Sequence, residues 1–347
     1  MQSDRSLLGK NVLLIAPTFF GYEVEIKAEL ERRGATVDHL LDRPFRRASM
    51  KALARFGRRW VMPAADRYYE KELSRLGDRN YSLAIIINGQ TVSARTISRI
   101  ARENAGVTMI LYMWDSLRNR PAAARNFALF DRVLTFDRED AEQYGIQFRP
   151  LFYGAGFEAD GAAQNTLDFS FIGTAHTDRY RVVSTIARQA PANANFQIYY
   201  FLHAPWVFFA QKVTNPAFRK AKFADFAFTA LPKSEVWEAF RRSKVIIDVE
   251  HPRQRGLTMR TIETFGAGKK LITTNADVKQ YDLFDPANIL VIDRASPEVP
   301  DEFFLAPPAP TDAALRHKYS IRGWLDDVLG QGESGARPWR SSLRNRP

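Results

Sequence analysis

The chain has 347 residues and a net charge of +11, from 50 basic and 39 acidic side chains, with no cysteine. That length suits roughly two domains of about 100 to 200 residues, and 45% hydrophobic against 26% charged residues is a composition that buries a core. Disulfide frameworks, thiolate metal sites and cysteine nucleophiles are excluded, the five histidines lack metal-site spacing, and no apolar run approaches the roughly 20 residues of a membrane span.

The N-terminal stretch MQSDRSLLGKNVLLIAP has too short an apolar segment for a signal peptide, so a soluble, cytoplasmic protein is expected. Asn11 to Pro17 (NVLLIAP) is a continuous apolar run bounded by turn signals, which predicts a buried parallel strand. A loop over Thr18 to Tyr22 follows, then a helix stopping at Gly34 and a strand over Ala35 to Leu41. Leu83 to Ile87 is a strand ending in Asn88-Gly89, and a helix from Ser93 to Asn104 leads to a strand over Val107 to Tyr112, followed by Trp114-Asp115-Ser116. Arg132 to Phe136 and the helix DREDAEQYG complete a first set of alternating strands and helices.

Pro150 to Gly156 (PLFYGAG) punctuates the chain, and the pattern restarts. Strands are expected at Leu167 to Gly173, Phe196 to Phe201, Lys244 to Val249, Lys270 to Thr274 and Ile289 to Ile292. Helices fall at Arg179 to Gln189, Lys233 to Arg242, Thr258 to Gly266 and Ile321 to Leu329. The expectation is an α/β protein of two Rossmann-like, doubly wound domains, at 1–152 and 153–330. The polar, basic residues 331–347 are expected to be disordered.

The segment EHPRQRGLTMRTIETFGAGKKLITTN (250–275) carries the most chemistry. A strand runs through a Gly-containing loop into a helix beginning near Leu257-Thr258, where free N–H groups and the positive helix end suit a phosphate. Arg253, Arg255 and Arg260 crowd the same place, and guanidinium groups grip phosphate oxygens bidentately. Glu263, one turn beyond Arg260, is placed to accept from a ribose diol. Jointly these read as a nucleotide-diphosphate socket; singly, each is equally a solvated arginine or a carboxylate favouring its own helix end.

GLTMRTIETFGAGKKLITTN resembles the donor-nucleotide segment of GT-B glycosyltransferases, especially bacterial polysaccharide-biosynthesis enzymes and the CgeB-like group. FSFIGTAHTDRYRVV (169–183) is similar to that group's opening of the donor domain. The resemblance implies two domains facing across a cleft, with acceptor on 1–152 and nucleotide-sugar donor on 153–330. It implies that Glu263 holds the ribose and that Gly256, Thr258 and Arg260 approach the diphosphate, met from the other loop by Gly173, Thr174 and Arg179. Ala230 to Lys233 would lie beside the base. Where many retaining members carry a second Glu, eight residues before the ribose Glu, this chain has Arg255, which leaves the stereochemical outcome open.

A transferase also needs a general base for the acceptor hydroxyl. Asp115 follows a strand end and is the preferred candidate, with helix capping or loop hydrogen bonding as the competing role. Asp137 follows another strand end but reads more strongly as an N-cap, and His176 and His251 are secondary candidates for which loop exposure is the commoner explanation.

Arg43 to Arg67 holds eight Arg or Lys against Asp66 alone, interleaved with Phe45, Met50, Leu53, Phe56, Trp60 and Val61. This reads either as an element lying on an anionic membrane surface or as a solvated face whose apolar side packs on the domain. The aromatics of FLHAPWVFFA (201–210) read as core or an interdomain wall, with sugar stacking a lesser reading. GxGxxG and GxxxxGK[ST] are missing, which argues against a dehydrogenase or a P-loop enzyme, and no nucleic-acid-binding motif accompanies the charge.

The expected activity is therefore metal-independent glycosyl transfer from a nucleotide-sugar donor to a glycan or lipid-linked acceptor in bacterial surface polysaccharide synthesis. Beyond the donor no cofactor is expected, and the protein would be cytoplasmic, peripheral on the inner membrane face. A non-catalytic nucleotide-binding scaffold or regulator is the alternative, and a basic nucleic-acid-binding protein the weaker one.

Overall fold

A computed structural model describes residues 5–43, 58–77, 79–159, 165–252 and 256–331. The chain divides into two compact units, one running to Pro150 and resuming at Ile321, the other spanning Leu151–Ser320.

The first unit is built on the strands β1 (Asn11–Ala16), β2 (Thr36–Leu41), β3 (Leu83–Ile87), β4 (Thr108–Met113), β5 (Arg132–Thr135) and β6 (Gln147–Phe148). They form one six-stranded sheet in the order β2-β1-β3-β4-β5-β6, and every pairing is parallel. The run LAIII of β3 is buried throughout, as expected of a central parallel strand covered on both faces. The helices are α1 (Tyr22–Arg32), α2 (Arg58–Leu76), α3 (Ala94–Glu103) and α4 (Arg138–Tyr144), with a 3-10 segment over Pro121–Leu129. Helices α2 and α3 supply apolar stripes to one face of the sheet, so Leu13, Ile15, Ala84, Ile86, Met109 and Leu111 share one core with Val61, Ala65, Tyr69 and Ile97.

Val61 and Ala65 are buried in the domain core, so at these two positions the 43–67 segment packs on the domain. Residues 44–57 lie outside the described residues, as do 332–347 of the basic tail.

The second unit repeats the plan with β7 (Leu167–Thr174), β8 (Phe196–Phe201), β9 (Phe226–Ala227), β10 (Ser243–Asp248), β11 (Lys270–Thr273) and β12 (Ile289–Val291). The order is β12-β11-β10-β7-β8-β9, again parallel throughout. Its helices are α5 (Arg179–Gln189), α6 (Pro205–Thr214), α7 (Lys233–Arg242), α8 (Met259–Gly266), α9 (Asp301–Leu305) and α10 (Ala313–Tyr319). Phe169, Phe171, Val245, Ile247 and Ile272 form the sheet side of the core. The last residue of α8 is Gly266, and only glycine fits there because the Tyr153 ring lies against it: a Cβ would stand 2.4 Å from the ring.

The expected limits of 153–330 differ from the observed unit at one place. The last helix, α11 (Ile321–Leu329), belongs to the first unit. Trp324, fully buried, meets Tyr112 edge-on at 4.9 Å between ring centroids. Asp326 bonds Arg33 at 2.6 Å and Asp327 pairs with Arg149 at 2.6 Å, so burial and charge both tie the helix there. Among the described residues, no helix is long and apolar enough to cross a membrane.

Candidate functional site

In the second sheet the chain moves outward from β7 through β8 to β9, then returns to the other side of β7 with β10. Between β7 and β10 lies the topological switch point, where loops diverge and leave a crevice beyond the carboxyl ends of the strands. The loop after β7 opens α5, and the loop after β10 opens α8, so two helix N-termini meet that crevice.

Thr258 caps α8, its hydroxyl accepting from the Thr261 N–H at 3.1 Å. The same hydroxyl donates to Asp248, the fully buried last residue of β10, and Thr261 donates to the same carboxylate oxygen at 2.9 Å. On its other oxygen Asp248 meets the Arg260 guanidinium at 3.4 Å. Arg260 also donates to the Ile172 carbonyl and lies 5.5 Å from the centroid of the Phe171 ring. Gly173 leaves room for this guanidinium, since a Cβ at that position would stand 3.2 Å from an Arg260 nitrogen.

Arg179, the first residue of α5, reaches the same place and donates to the carbonyls of Val249 at 2.5 Å and Thr174 at 3.1 Å. Among the described residues no carboxylate lies within ion-pair distance of it, though the Asp248 and Glu250 charges act on it from nearby. Burial pushes its guanidinium down to about 10, and the neighbouring Arg260 adds to the depression. Two guanidinium groups are thus anchored side by side in a largely dehydrated crevice, an arrangement that an anion relieves.

Around them runs a network that sequence reasoning missed. Arg294, three residues beyond β12, donates to Asp178 at 2.7 Å, to the Glu250 carboxylate at 2.6 Å and to Thr274 at 3.1 Å. It ties together the loops that follow β7, β10, β11 and β12. Its signal was a charged residue just past a strand end, the signal that singled out Asp115. His176 and His251 do come together, with ring centroids 5.4 Å apart. Burial, the Arg179 charge and His251 push the His176 imidazole down to about 4, so at neutral pH it is an uncharged ring.

Glu263 lies in α8 and is buried, with 9% of its surface exposed. Burial pushes its carboxyl up to about 8. Gly256 is also buried, adopts a left-handed φ of 69°, and its carbonyl accepts from Asn275 at 2.9 Å. Arg253 and Arg255 lie outside the described residues. Lys233 opens α7, its ammonium 5.6 Å from the centroid of the Trp237 ring.

The first unit has its own switch point, between β1 and β3. Asn88 and Gly89 turn there through φ values of 60° and 59°, and the Asn88 side chain accepts from the Trp114 N–H at 3.1 Å. Phe19 packs 5.5 Å from Trp114, and Phe20 points outward, 75% exposed, from a left-handed backbone. Asp115 stands beside them, accepting from Arg120 at 2.9 Å and Asn119 at 3.1 Å. Asp137 takes its capping role instead: nearly fully buried, it accepts from the N–H groups of Glu139 and Asp140 at the start of α4. Among the described residues no three His, Asp or Glu side chains group as a metal ion would need.

No protein-family model matches the chain, and no curated protein matches it. Among solved structures it aligns with a sucrose-phosphate synthase from Thermosynechococcus elongatus, over 96% of this chain and 97% of that one, at TM-score 0.55 and 11% identity. HepE from Anabaena, in complex with UDP-glucose, aligns over 92% of this chain and 98% of its own, at TM-score 0.55 and 10% identity. A looser likeness, TM-score 0.41 at 13% identity, links 76% of the chain to 55% of a chain of the glycosylation-associated Gap123 complex from Streptococcus agalactiae. The fold is GT-B: two Rossmann-like units, each on a six-stranded parallel sheet.

Proposed function

We propose that this chain transfers a glycosyl group from a nucleoside-diphosphate sugar to a glycan or lipid-linked acceptor. The observation that carries the reading is the pair of anchored guanidiniums, Arg179 and Arg260, at the switch point of the second unit. With the N-terminus of α8 they offer the positive charge that a departing diphosphate needs, preorganised before the ligand arrives. In this reading no metal ion is required, and Thr258, Gly173, Thr174 and Gly256 line the approach of the phosphates. Glu263 takes the ribose diol, and Lys233 lies on the base side. HepE, of the same fold, was captured with UDP-glucose, which supports a donor of this class while leaving base and sugar open.

The acceptor belongs to the first unit's strand-end surface, with its exposed aromatic rings. There Asp115 takes the proton as the acceptor oxygen bonds to the anomeric carbon and the bond to the diphosphate breaks. The resemblance noted in the sequence makes bacterial surface polysaccharide the setting, at the cytoplasmic face of the membrane. The test is release of nucleoside diphosphate from a panel of nucleotide sugars, with and without a lipid-linked glycan fraction. Acceptor-dependent release supports transfer. Nucleotide binding without turnover of any donor supports the non-catalytic scaffold instead.

A further inference from the structure

The helix α6 departs from the sequence expectation. Of the aromatics in FLHAPWVFFA, Phe208 enters the core at 3% exposure, but Trp206 and Phe209 stand 71% and 60% exposed. Val213 on the same helix is 87% exposed, and Phe223 stacks on Phe209 with ring centroids 5.7 Å apart. At 3.6 residues per turn Trp206, Phe209, Ala210 and Val213 fall on one face, opposite the side that carries Phe208 to the core. The helix is therefore apolar on both sides, and only one side is covered. Scattered exposed apolar residues need no explanation, but three large ones along one helix face, with Phe223 stacked beside them, do.

Charge says what covers it. From Leu202 to Ala224 the chain has no Asp or Glu, and Arg219, Lys220 and Lys222 are all solvent-exposed, whereas the Lys212 ammonium is held on the core side by the Ala221 carbonyl at 2.6 Å. Among the described residues none of Arg219, Lys220 and Lys222 makes a side-chain ion pair. We propose that α6 with the following turn is a docking element for an anionic lipid bilayer, its Trp206–Phe209–Val213 face entering the interface while Arg219, Lys220 and Lys222 meet the headgroups. An in-plane helix with aromatic residues on one side and cations flanking it has the required form. A second copy of the chain is disfavoured as occupant, since it would bring the same unpaired cations against these. The element also adjoins the nucleotide crevice: Asn215, at the end of α6, donates to the Thr177 carbonyl at 2.6 Å, in the loop leading to Arg179. The proposal does not rest on glycosyl transfer and holds or fails without it.

The experiment is co-sedimentation of the full chain with vesicles of phosphatidylcholine, alone or mixed with phosphatidylglycerol, at low and physiological salt. Binding to the mixed vesicles, weakening as salt rises, is expected. Trp206→Ser with Phe209→Ser should weaken it at least about tenfold, and Arg219→Gln with Lys220→Gln and Lys222→Gln should abolish the preference for the anionic lipid. Brominated lipid should quench the wild-type tryptophan emission, and Trp206→Phe should remove that quenching. All these residues are exposed, so the variants should keep the wild-type circular dichroism and melting temperature. Wild-type binding by the Trp206/Phe209 variant overturns the proposal, as does binding lost only on replacing Arg46, Arg47, Arg58 and Arg59. Failure of the wild type to bind, or a dimer that Trp206→Ser converts to monomer, overturns it too.

Discussion

Replacing Glu263 with Gln removes the ionisation of this side chain and keeps its shape. Burial raises the carboxyl from its ordinary 4.5 to about 8, so the folded chain holds it neutral where the unfolded chain would release the proton. A raised carboxyl contributes stability that is fully present below pH 4.5 and is lost as pH rises through 8. The free energy linked to that rise has a ceiling of about 5 kcal/mol. Wild type and Glu263→Gln should therefore be similarly stable near pH 5 and diverge above it, the variant becoming the more stable by several degrees at pH 8 to 9. Thermal and urea melts across that range read the difference directly. Nucleotide affinity should move the opposite way. A ribose diol needs the carboxylate as acceptor, so wild-type affinity should climb as pH rises from 6 through 8 while that of the variant stays flat, the gap widening from near zero at pH 6 towards about 1.5–3 kcal/mol as the carboxylate forms. Parallel stability profiles for the two proteins would refute the burial argument, and equal nucleotide affinity would remove Glu263 from the site.

Asp115→Asn should abolish sugar transfer while leaving nucleotide affinity unchanged; full activity in a turnover assay would move the proton to another group. Gly173→Ala places a methyl 3.2 Å from the Arg260 guanidinium, and should weaken nucleoside-diphosphate binding with little change in melting temperature. Unaltered affinity would show that the guanidinium position does not matter. Arg33 is 1% exposed and bonds Glu29, Asp326 and the Arg322 carbonyl, so Arg33→Met should cost about 3–5 kcal/mol in urea melts at pH 7. Burial alone would raise the Glu29 carboxyl, but the hydrogen bonds from Arg32 and Arg33 outweigh it and hold the group below its ordinary value. That contribution is present above pH 4.5 and lost as pH falls through the depressed value, so the gap between wild type and variant should narrow in acid.

The strands were the most legible feature of the sequence. Parallel strands covered on both faces are continuous apolar runs, and NVLLIA, LAIII and KVIID stand out against polar turns. Gln147–Phe148 and Phe226–Ala227, at two residues each, carry too little pattern to be seen. Helix α8 was legible from its cap, since Thr258 before an apolar run is a local signal. Arg294 was not, because its partner Asp178 lies 116 residues away in sequence and only the closing of the sheet brings them together. The return of α11 to the first unit rests on similar long-range pairings, Arg33 with Asp326 and Arg149 with Asp327. In α6 the aromatic composition was plain, but a helix with large apolar residues on opposite sides does not announce which side the core will take.

Calorimetric titration of UDP, GDP, ADP, CDP and TDP, each beside its own monophosphate, into wild type and Arg179→Gln tests the anchored guanidinium pair most directly. At least one diphosphate should bind the wild type about tenfold or more tightly than its monophosphate, and Arg179→Gln should erase that advantage without changing the melting temperature of the free protein. Equal affinity for mono- and diphosphates in the wild type, or an undiminished diphosphate preference in Arg179→Gln, would contradict a diphosphate socket at the switch point.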